Sequence, residues 1–198
     1  MTSNRHNRTA DDTVLDAARD CVLAVGVRRT TLTDIARRAG VSRMTLYRRW
    51  PDVRTIVADL MTREWIEVAV DVRPPDDGSP VLDRLVNSLV AGVQNFRGHP
   101  LLRKIVEVDP ELLLPYMLDR RGASQEAFLE IFAAAIRAGH KDGTVRPGNA
   151  ERQARAVLLV VQSFALSGPT MTDTGDPELN DDALDTELRH ILERTLAP

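Results

Sequence analysis

Nine consecutive residues near the N-terminus concentrate hydrogen-bond donors and positive charge. The segment "SRMTLYRRW", residues 42–50, holds three arginines, a tyrosine and a tryptophan, and it contains no histidine, cysteine or carboxylate. Arginine presents N–H donors in a planar fork that matches phosphate or the edge of guanine, and hydroxyl groups add further donors. The chemistry that this segment offers is therefore recognition of a polyanion.

Two short helices must position this segment. Thr31 and Asp34 form a capping box that opens a helix through Ala39, and Gly40 stops it. Ser42 then caps the next helix, which ends near the tryptophan. Because the connection "AGV" is too short to keep the two helices apart, they must cross steeply as a helix-turn-helix.

The second of these helices has one inward face and one outward face. At about 100° per residue, Leu46 and Trp50 lie about 40° apart and face the core. Met44 and Arg48 lie on the opposite face, which suits the major groove of DNA: arginine reads guanine, and an apolar group touches the methyl of thymine. The alternative is a solvated arginine face on an ordinary helical hairpin.

The predicted DNA-binding residues combine this face with flanking donors that suit phosphate. They are Thr31, Thr33, Ser42, Arg43, Met44, Thr45, Tyr47, Arg48 and Arg49. Arg28 and Arg29, just before the first of them, could add charge contacts to the DNA backbone.

The distribution of charge agrees with this interpretation. Residues 1–54 carry 11 arginines and 6 aspartates, a net charge of +5, whereas the remainder of the 198 residues carries −8. A basic N-terminal quarter on an acidic body suggests a surface that meets a polyanion. The length predicts one to two domains, and Cys21, the single cysteine, falls on an apolar helix stripe and is expected in the core.

The stretch "TTLTDIARRAGVSRMTLYRRWPDVRTIVADL", residues 30–60, resembles the DNA-binding domain of the TetR family of bacterial transcriptional regulators. The similarity covers about residues 9–60. Two positions depart from the family pattern: Met44 replaces a small residue, and Val53 replaces a lysine that contacts phosphate. Arg54 follows it but points about 100° away along the helix.

The rest of the chain is also predicted to be helical. The first helix is expected to start at Thr9, "GHKDGTVRPGN" (residues 139–149) to be a loop, and the last helix to cover about residues 182–196. We predict an all-α fold, with a three-helix DNA-binding domain over residues 1–55 and a larger helical effector-binding and dimerisation domain over residues 56–198.

Two apolar helices favour a homodimer. The helix over residues 150–167 is apolar nearly all round, and the last helix carries an apolar face made of Leu184, Leu188, Ile191, Leu192 and Thr195. The resemblance implies a four-helix interface built from the last two helices of each subunit. The alternative is that both helices are simply core.

The resemblance also implies a small-molecule pocket in the larger domain. Its candidate wall residues are Met61, Trp65, Phe96, Tyr116, Met117, Phe128, Phe132, Gln162 and Phe164, each of which could equally be plain core. We expect an apolar or amphipathic organic ligand that prefers a form of the dimer with recognition helices wrongly spaced for DNA, and so releases a repressor from a palindromic operator.

Other function classes find less support. The residues available for catalysis or metal binding are scattered in predicted tails and loops or on a polar helix face: His6, Asp76-Asp77, His99, His140, Asp142, Asp181-Asp182 and His190. We therefore predict no enzyme, metal or cofactor. A constitutive or architectural DNA-binding dimer without an effector stays open. The N-terminal residues lack a secretory signal and the longest apolar run is "AVLLVV", so we expect a cytoplasmic protein without a membrane partner.

Overall fold

A computed structural model describes residues 10–73, 77–173 and 175–198, and this part of the chain is helical without any strand. The all-α prediction is confirmed. In chain order the helices are α1 (Ala10–Val25), α2 (Leu32–Ala39), α3 (Arg43–Arg49), α4 (Val53–Asp71), α5 (Val81–Gly98), α6 (Pro100–Val108), α7 (Leu114–Leu118), α8 (Ala123–Asp142), α9 (Ala150–Ser167) and α10 (Asp181–Leu196). Short 3-10 turns cover Pro110–Leu112 and Gly168–Thr170. The helix start expected at Thr9 lies outside the described residues.

Contacts divide the chain into two compact units. The first contains the chain up to Glu64 together with Pro100–Arg120, and the second contains Trp65–His99 and Arg121–Pro198. Residues from α6 and α7 thus pack in the same unit as the N-terminal helices. The functional division expected between residues 55 and 56 stays a prediction, because packing alone does not assign function.

In the first unit, α1 packs against α2 and α6, and α2 packs against α3. Its fully buried large side chains come from several helices and include Ile35, Leu46, Ile56, Leu60, Leu101 and Ile105. Burial of side chains of this size stabilises the unit by roughly 1.5–3 kcal/mol each. The apolar stripe of α1 is buried as its spacing predicts, including Cys21, except that Val25 at its end is 43% exposed.

An ion network around the buried Glu64 joins α1 to α4 in the same unit. Arg63 reaches Asp16 at 3.0 Å and Glu64 at 2.8 Å. Glu64 is only 2% exposed, and Arg19 approaches it at 3.7 Å. Because a buried carboxylate without a partner is costly, the two arginines make the burial of Glu64 possible.

In the second unit, α8 packs on α9, and α5 contacts α8, α9 and α10. Leu188, Leu192 and Leu196 of α10 are fully or almost fully buried, whereas Ile191 and Thr195 are exposed. The predicted apolar face of α10 thus lies partly in the core, with Leu188 and Leu192, and partly at the surface of this chain, with Ile191. The helix is turned so that Leu196, one turn beyond Leu192, completes the inward stripe.

The segment "GHKD" was wrongly predicted as loop and forms the last turn of α8 instead. Gly139 does not stop the helix but lets Val145 pack closely, since a Cβ at position 139 would lie 2.3 Å from Val145 Cγ2. The helix ends at Gly143, whose φ of 77° belongs to the left-handed region that glycine adopts readily. None of the described helices is both long enough and apolar enough to cross a membrane.

Candidate nucleic-acid interface

The turn between α2 and α3 is built as its sequence predicts. Gly40 takes a φ of 69°, and the backbone N–H of Val41 donates to Ala36 O at 3.1 Å, which satisfies a free carbonyl at the end of α2. Ser42 then caps α3 by accepting from the backbone N–H of Thr45 at 3.1 Å. These local contacts fix the direction in which α3 leaves the turn.

Helix α3 presents the face that its periodicity predicts. Leu46 is 1% exposed and Trp50 is 2% exposed, so both anchor the segment in the core. The remaining side chains of α3 and its cap, the seven predicted DNA-binding residues from Ser42 to Arg49, are all exposed. The indole N–H of Trp50 donates to Asp59 Oδ2 at 2.8 Å, which fixes the end of α3 against α4.

Four of these side chains, Met44, Thr45, Tyr47 and Arg48, line an open, shallow surface depression of about 410 Å³. Thr45 is oriented by a 2.8 Å hydrogen bond between its hydroxyl and that of Ser42. The depression therefore joins an apolar side chain, two hydroxyls and a guanidinium on one short surface.

Some arginines around the helix-turn-helix pair with carboxylates and others do not. Arg37 pairs with Asp34 at 2.8 Å and Arg38 with Asp20 at 3.2 Å, so much of the local positive charge is balanced. Arg49 lies 3.4 Å from Asp11 and stacks over the ring of Trp50 at 5.1 Å. Among the described residues, the side chains of Arg29, Arg43 and Arg48 form no hydrogen bond or ion pair. The positive charge of Arg54, by contrast, helps to lower the pKa of Asp52 and of Glu111.

The two predicted threonines of α2 differ in their availability. The hydroxyl of Thr31 accepts from the backbone N–H of Asp34 at 3.1 Å and donates to its carboxylate at 2.6 Å. Its role in the structure is that of a helix cap. Thr33 is half-buried. Their contacts with DNA stay predictions.

The start of α4, where Val53 replaces the family's lysine, is held by Asp52. The backbone N–H and the hydroxyl of Thr55 both donate to Asp52 Oδ1, at 2.8 and 2.9 Å. These hydrogen bonds hold the pKa of Asp52 below its usual value, the backbone N–H having the larger effect. Val53 is half-buried and Arg54 is exposed, and the positive charge of Arg54 also contributes to the lowered pKa of Asp52.

A contact that the sequence did not reveal fixes the turn between α1 and α2. Asp109 is fully buried, and its Oδ2 accepts from the backbone N–H of Val27 at 2.7 Å. Arg28 approaches the other oxygen at 3.4 Å and pairs with Glu111 at 2.7 Å. The periodicity of the sequence could not predict this contact, because the two residues lie 82 positions apart in the chain.

The family model described as "Bacterial regulatory proteins, tetR family" matches residues 14–60, which include α2, α3 and the turn between them. The sequence is 42% identical over 179 residues to the HTH-type transcriptional regulator Rv2250c of Mycobacterium tuberculosis (strain ATCC 25618 / H37Rv), with 90% of each chain covered. The chain belongs to the TetR family of bacterial transcriptional regulators. It is a DNA-binding protein whose helix-turn-helix is formed by α2 and α3.

Solved structures of TetR-type fold cover nearly the whole chain. The TetR family repressor AlkX from Dietzia sp. strain DQ12-45-1b superimposes with a TM-score of 0.67 at 20% identity, covering 96% of this chain and 97% of AlkX. SmeT, solved in complex with triclosan, gives a TM-score of 0.61 at 22% identity, covering 96% and 93% of the two chains. At these identities the likeness establishes the fold.

The predicted effector-binding residues of this TetR-family chain do not all fall in one unit. Met61, Tyr116 and Met117 belong to the first unit. The others belong to the second unit, and they are Trp65, Phe96, Phe128, Phe132, Gln162 and Phe164.

Within the second unit, two ring contacts each join a pair of these predicted residues, and Gln162 contacts Gln125, which was not predicted. Trp65 and Phe96 have ring centroids 4.6 Å apart, and Phe128 stacks on Phe132 at 6.1 Å. The amide of Gln162 accepts from Gln125 Nε2 at 2.8 Å. All six side chains are at least partly buried. Their role as ligand contacts stays a prediction.

Three of the histidines considered for catalysis each contact a neighbouring side chain of the fold. His140 lies within α8 and hydrogen-bonds Gln153 Oε1 at 2.9 Å. His99 meets the ring of Trp65 edge-on at 5.1 Å. His190 is exposed beside Glu187 at 3.8 Å. In the part of the chain that the structure describes, no group of three His, Cys, Asp or Glu side chains could hold a metal ion.

Proposed function

We propose that this regulator represses transcription as a homodimer on an inverted-repeat operator, reads bases through Arg43, Met44, Thr45 and Arg48, and leaves the operator when a small organic ligand binds. The observation that carries the proposal is the outward face of α3. There Arg48, which no described side chain pairs with, and Met44, which is 80% exposed, lie opposite the buried Leu46. A solvated surface would not require that combination, whereas a major groove offers both groups a partner.

The phosphate contacts are assigned to groups on the flanks of this face. Tyr47 is 49% exposed and offers its hydroxyl, and Arg29 offers a charge that no described carboxylate engages. Arg54 is exposed as well, and its charge also acts on Asp52 and Glu111. Arg49 is already close to Asp11, so its contribution to binding is the smaller one. Backbone contacts of this kind orient a protein on DNA without reading its sequence.

The outer face of α9 supports the homodimer. Leu159 is 72% exposed on the side of α9 opposite the buried Val157, Leu158 and Val161. Ile191 of α10 is 37% exposed as well. One helix-turn-helix covers little DNA, so a dimer with two recognition helices is the form in which such a protein binds specifically. A second copy of the chain is the proposed cover for this apolar surface.

The interior of the second unit supports an apolar or amphipathic effector. Its partly buried aromatic side chains include Phe96, Phe128, Phe132 and Phe164, all packed against the core of that unit. The hydrogen-bonded pair of Gln125 and Gln162 adds a polar group among apolar neighbours. Aromatic walls with few polar groups are typical of sites for small organic molecules. Binding of triclosan by the structurally similar SmeT agrees with this class of ligand.

The experiment that tests this function is selection of bound duplexes from a random DNA pool at near-physiological salt. An enriched inverted repeat supports a dimeric, sequence-reading regulator, and the selected duplex then serves as the probe for ligands that release it. Retention of DNA without any common sequence would favour an architectural binder and contradict the proposal. If the protein binds the repeat and no apolar compound weakens that binding, the function would be restricted to constitutive DNA binding.

A further inference from the structure

Met44 is an apolar side chain that the fold leaves in solvent. It is 80% exposed, on the face of α3 opposite Leu46, which is 1% exposed. Packing of the first unit therefore does not account for an apolar residue at this position. It forms one wall of the depression whose other walls are Thr45, Tyr47 and Arg48.

Among these four side chains, Met44 alone lacks a hydrogen-bond donor. Thr45 and Tyr47 carry hydroxyls, and Arg48 carries a guanidinium. A thioether cannot read the pattern of donors and acceptors on base edges, so it can distinguish bases only by apolar contact. In the major groove the one apolar group of the four base pairs is the 5-methyl of thymine. An unbranched, polarisable side chain adapts well to such a group.

The spacing of Met44 and Arg48 limits where that thymine can lie. Four residues along a helix correspond to a rise of about 6 Å and to the same face. Successive base pairs lie about 3.4 Å apart. A side chain at each end of this interval therefore reaches bases that are one to two base pairs apart.

We propose that Met44 is a specificity-determining residue that recognises the 5-methyl group of a thymine within two base pairs of the guanine contacted by Arg48. The proposal rests on the proposed function, because it assigns a base to the same surface of α3. It adds a specific chemical requirement: each half-site contains a 5-methylpyrimidine, and its methyl group, rather than its hydrogen-bonding edge, is what the protein reads at that position.

The test replaces each thymine of the selected operator in turn by deoxyuridine, which removes only the methyl group. Affinity is measured by fluorescence anisotropy at constant salt. For the wild-type chain, removal of the methyl group at one thymine position in each half-site should weaken binding by about fourfold per half-site. The same substitution should leave the affinity of the Met44→Ala variant unchanged, because that variant has no apolar group to lose.

Two further variants of the same position serve as controls. Met44→Leu keeps an apolar side chain and should keep the sensitivity to deoxyuridine, whereas Met44→Gln has similar length but is polar and should lose it. Because residue 44 is so exposed, all three variants should fold as the wild type does, which circular dichroism checks. The Arg48→Ala variant locates the guanine, which should lie within two base pairs of the methyl-sensitive thymine.

The outcomes separate this proposal from the function on which it rests. If the pool yields an inverted repeat but removal of no thymine methyl weakens binding, Met44 does not recognise a thymine methyl. The proposed function as a sequence-specific regulator is then retained. The same holds if Met44→Ala keeps the wild-type sensitivity, or if the guanine lies more than two base pairs away. If no sequence is enriched, sequence reading by α3 is wrong and the proposal falls with it.

Discussion

Asp109, directly after α6, accepts a 2.7 Å hydrogen bond from the backbone N–H of Val27, in the turn between α1 and α2. The carboxylate is fully buried and the turn is tight, with Gly26 at a φ of 81°. A segment that follows the predicted DNA-binding domain by more than 40 residues thus holds the turn that leads into its helix-turn-helix. The geometry of α2 depends on this contact as well as on its own caps.

Loss of the Asp109 carboxylate should loosen this turn. Asp109→Ala leaves the buried N–H of Val27 without an acceptor, and we expect a loss of about 2–3 kcal/mol in the stability of the first unit. Asp109→Asn keeps an acceptor oxygen and should cost clearly less. Hydrogen exchange of the amides of residues 26–28, together with thermal unfolding, measures both effects. Equal exchange in the alanine variant and the wild type would show that the contact does not hold the turn.

Two glycines with the same backbone conformation should respond differently to alanine. Gly26 and Gly40 have φ angles of 81° and 69°, so Gly→Ala costs about 1–2 kcal/mol at either position. Only at Gly26 would the added Cβ lie 2.9 Å from Asp109 Oδ2 and from Val108 Cγ1, whereas nothing lies within 4 Å of it at Gly40. We expect Gly26→Ala to destabilise the protein by at least about 1 kcal/mol more than Gly40→Ala.

Urea unfolding of the two alanine variants measures this difference directly. Gly40→Ala serves as the matched control for the cost of the backbone angle, since it introduces no close contact. Similar losses in the two variants would mean that Val108 and Asp109 yield to the added methyl without cost. The combined Gly26→Ala, Asp109→Ala variant should lose less than the sum of its parts, because the two residues are in contact.

Arg48 and Tyr47 should affect DNA binding in different ways. Arg48→Ala removes the guanidinium proposed to read a base, so it should weaken specific binding by about 1–3 kcal/mol and relax the preference at one base pair per half-site. Tyr47→Phe removes the hydroxyl proposed to contact phosphate and should weaken binding to all sequences alike. Binding to the selected operator and to a scrambled duplex measures both. Unchanged affinity and specificity in Arg48→Ala would mean that α3 does not present the predicted face to DNA.

A single charge on α9 should separate the proposed dimer. Leu159→Glu places a carboxylate in the apolar contact between subunits, where its desolvation is not compensated, and should raise the Kd of the dimer at least about tenfold. Val70→Glu is the control. Val70 is 63% exposed, similar to the 72% of Leu159, but it lies on α4, outside the proposed interface. Sedimentation equilibrium measures the association. A shift of equal size in both variants would contradict the assignment of the interface to α9.

Several features could be predicted from the sequence because they depend on neighbouring residues. The caps at Thr31 and Ser42 bond to N–H groups three residues away, and the stop at Gly40 needs only a backbone angle. The burial of Leu46 and Trp50 follows from the period of a helix. The loop prediction at Gly139 was wrong because a contact outside its own helix determines the structure there. Gly139 fits into α8 because Val145 packs closely against it.

The sequence alone therefore determined most of the helices, the turn between α2 and α3 and the outward face that carries Met44 and Arg48. Only the tertiary structure decided which charges on that surface are free. Arg49 approaches Asp11 across 38 residues, and Asp109 reaches Val27 across 82. The physical reason is that periodicity and capping act within one or two helical turns, whereas pairing of charges and burial of carboxylates depend on which distant segments the packing brings together.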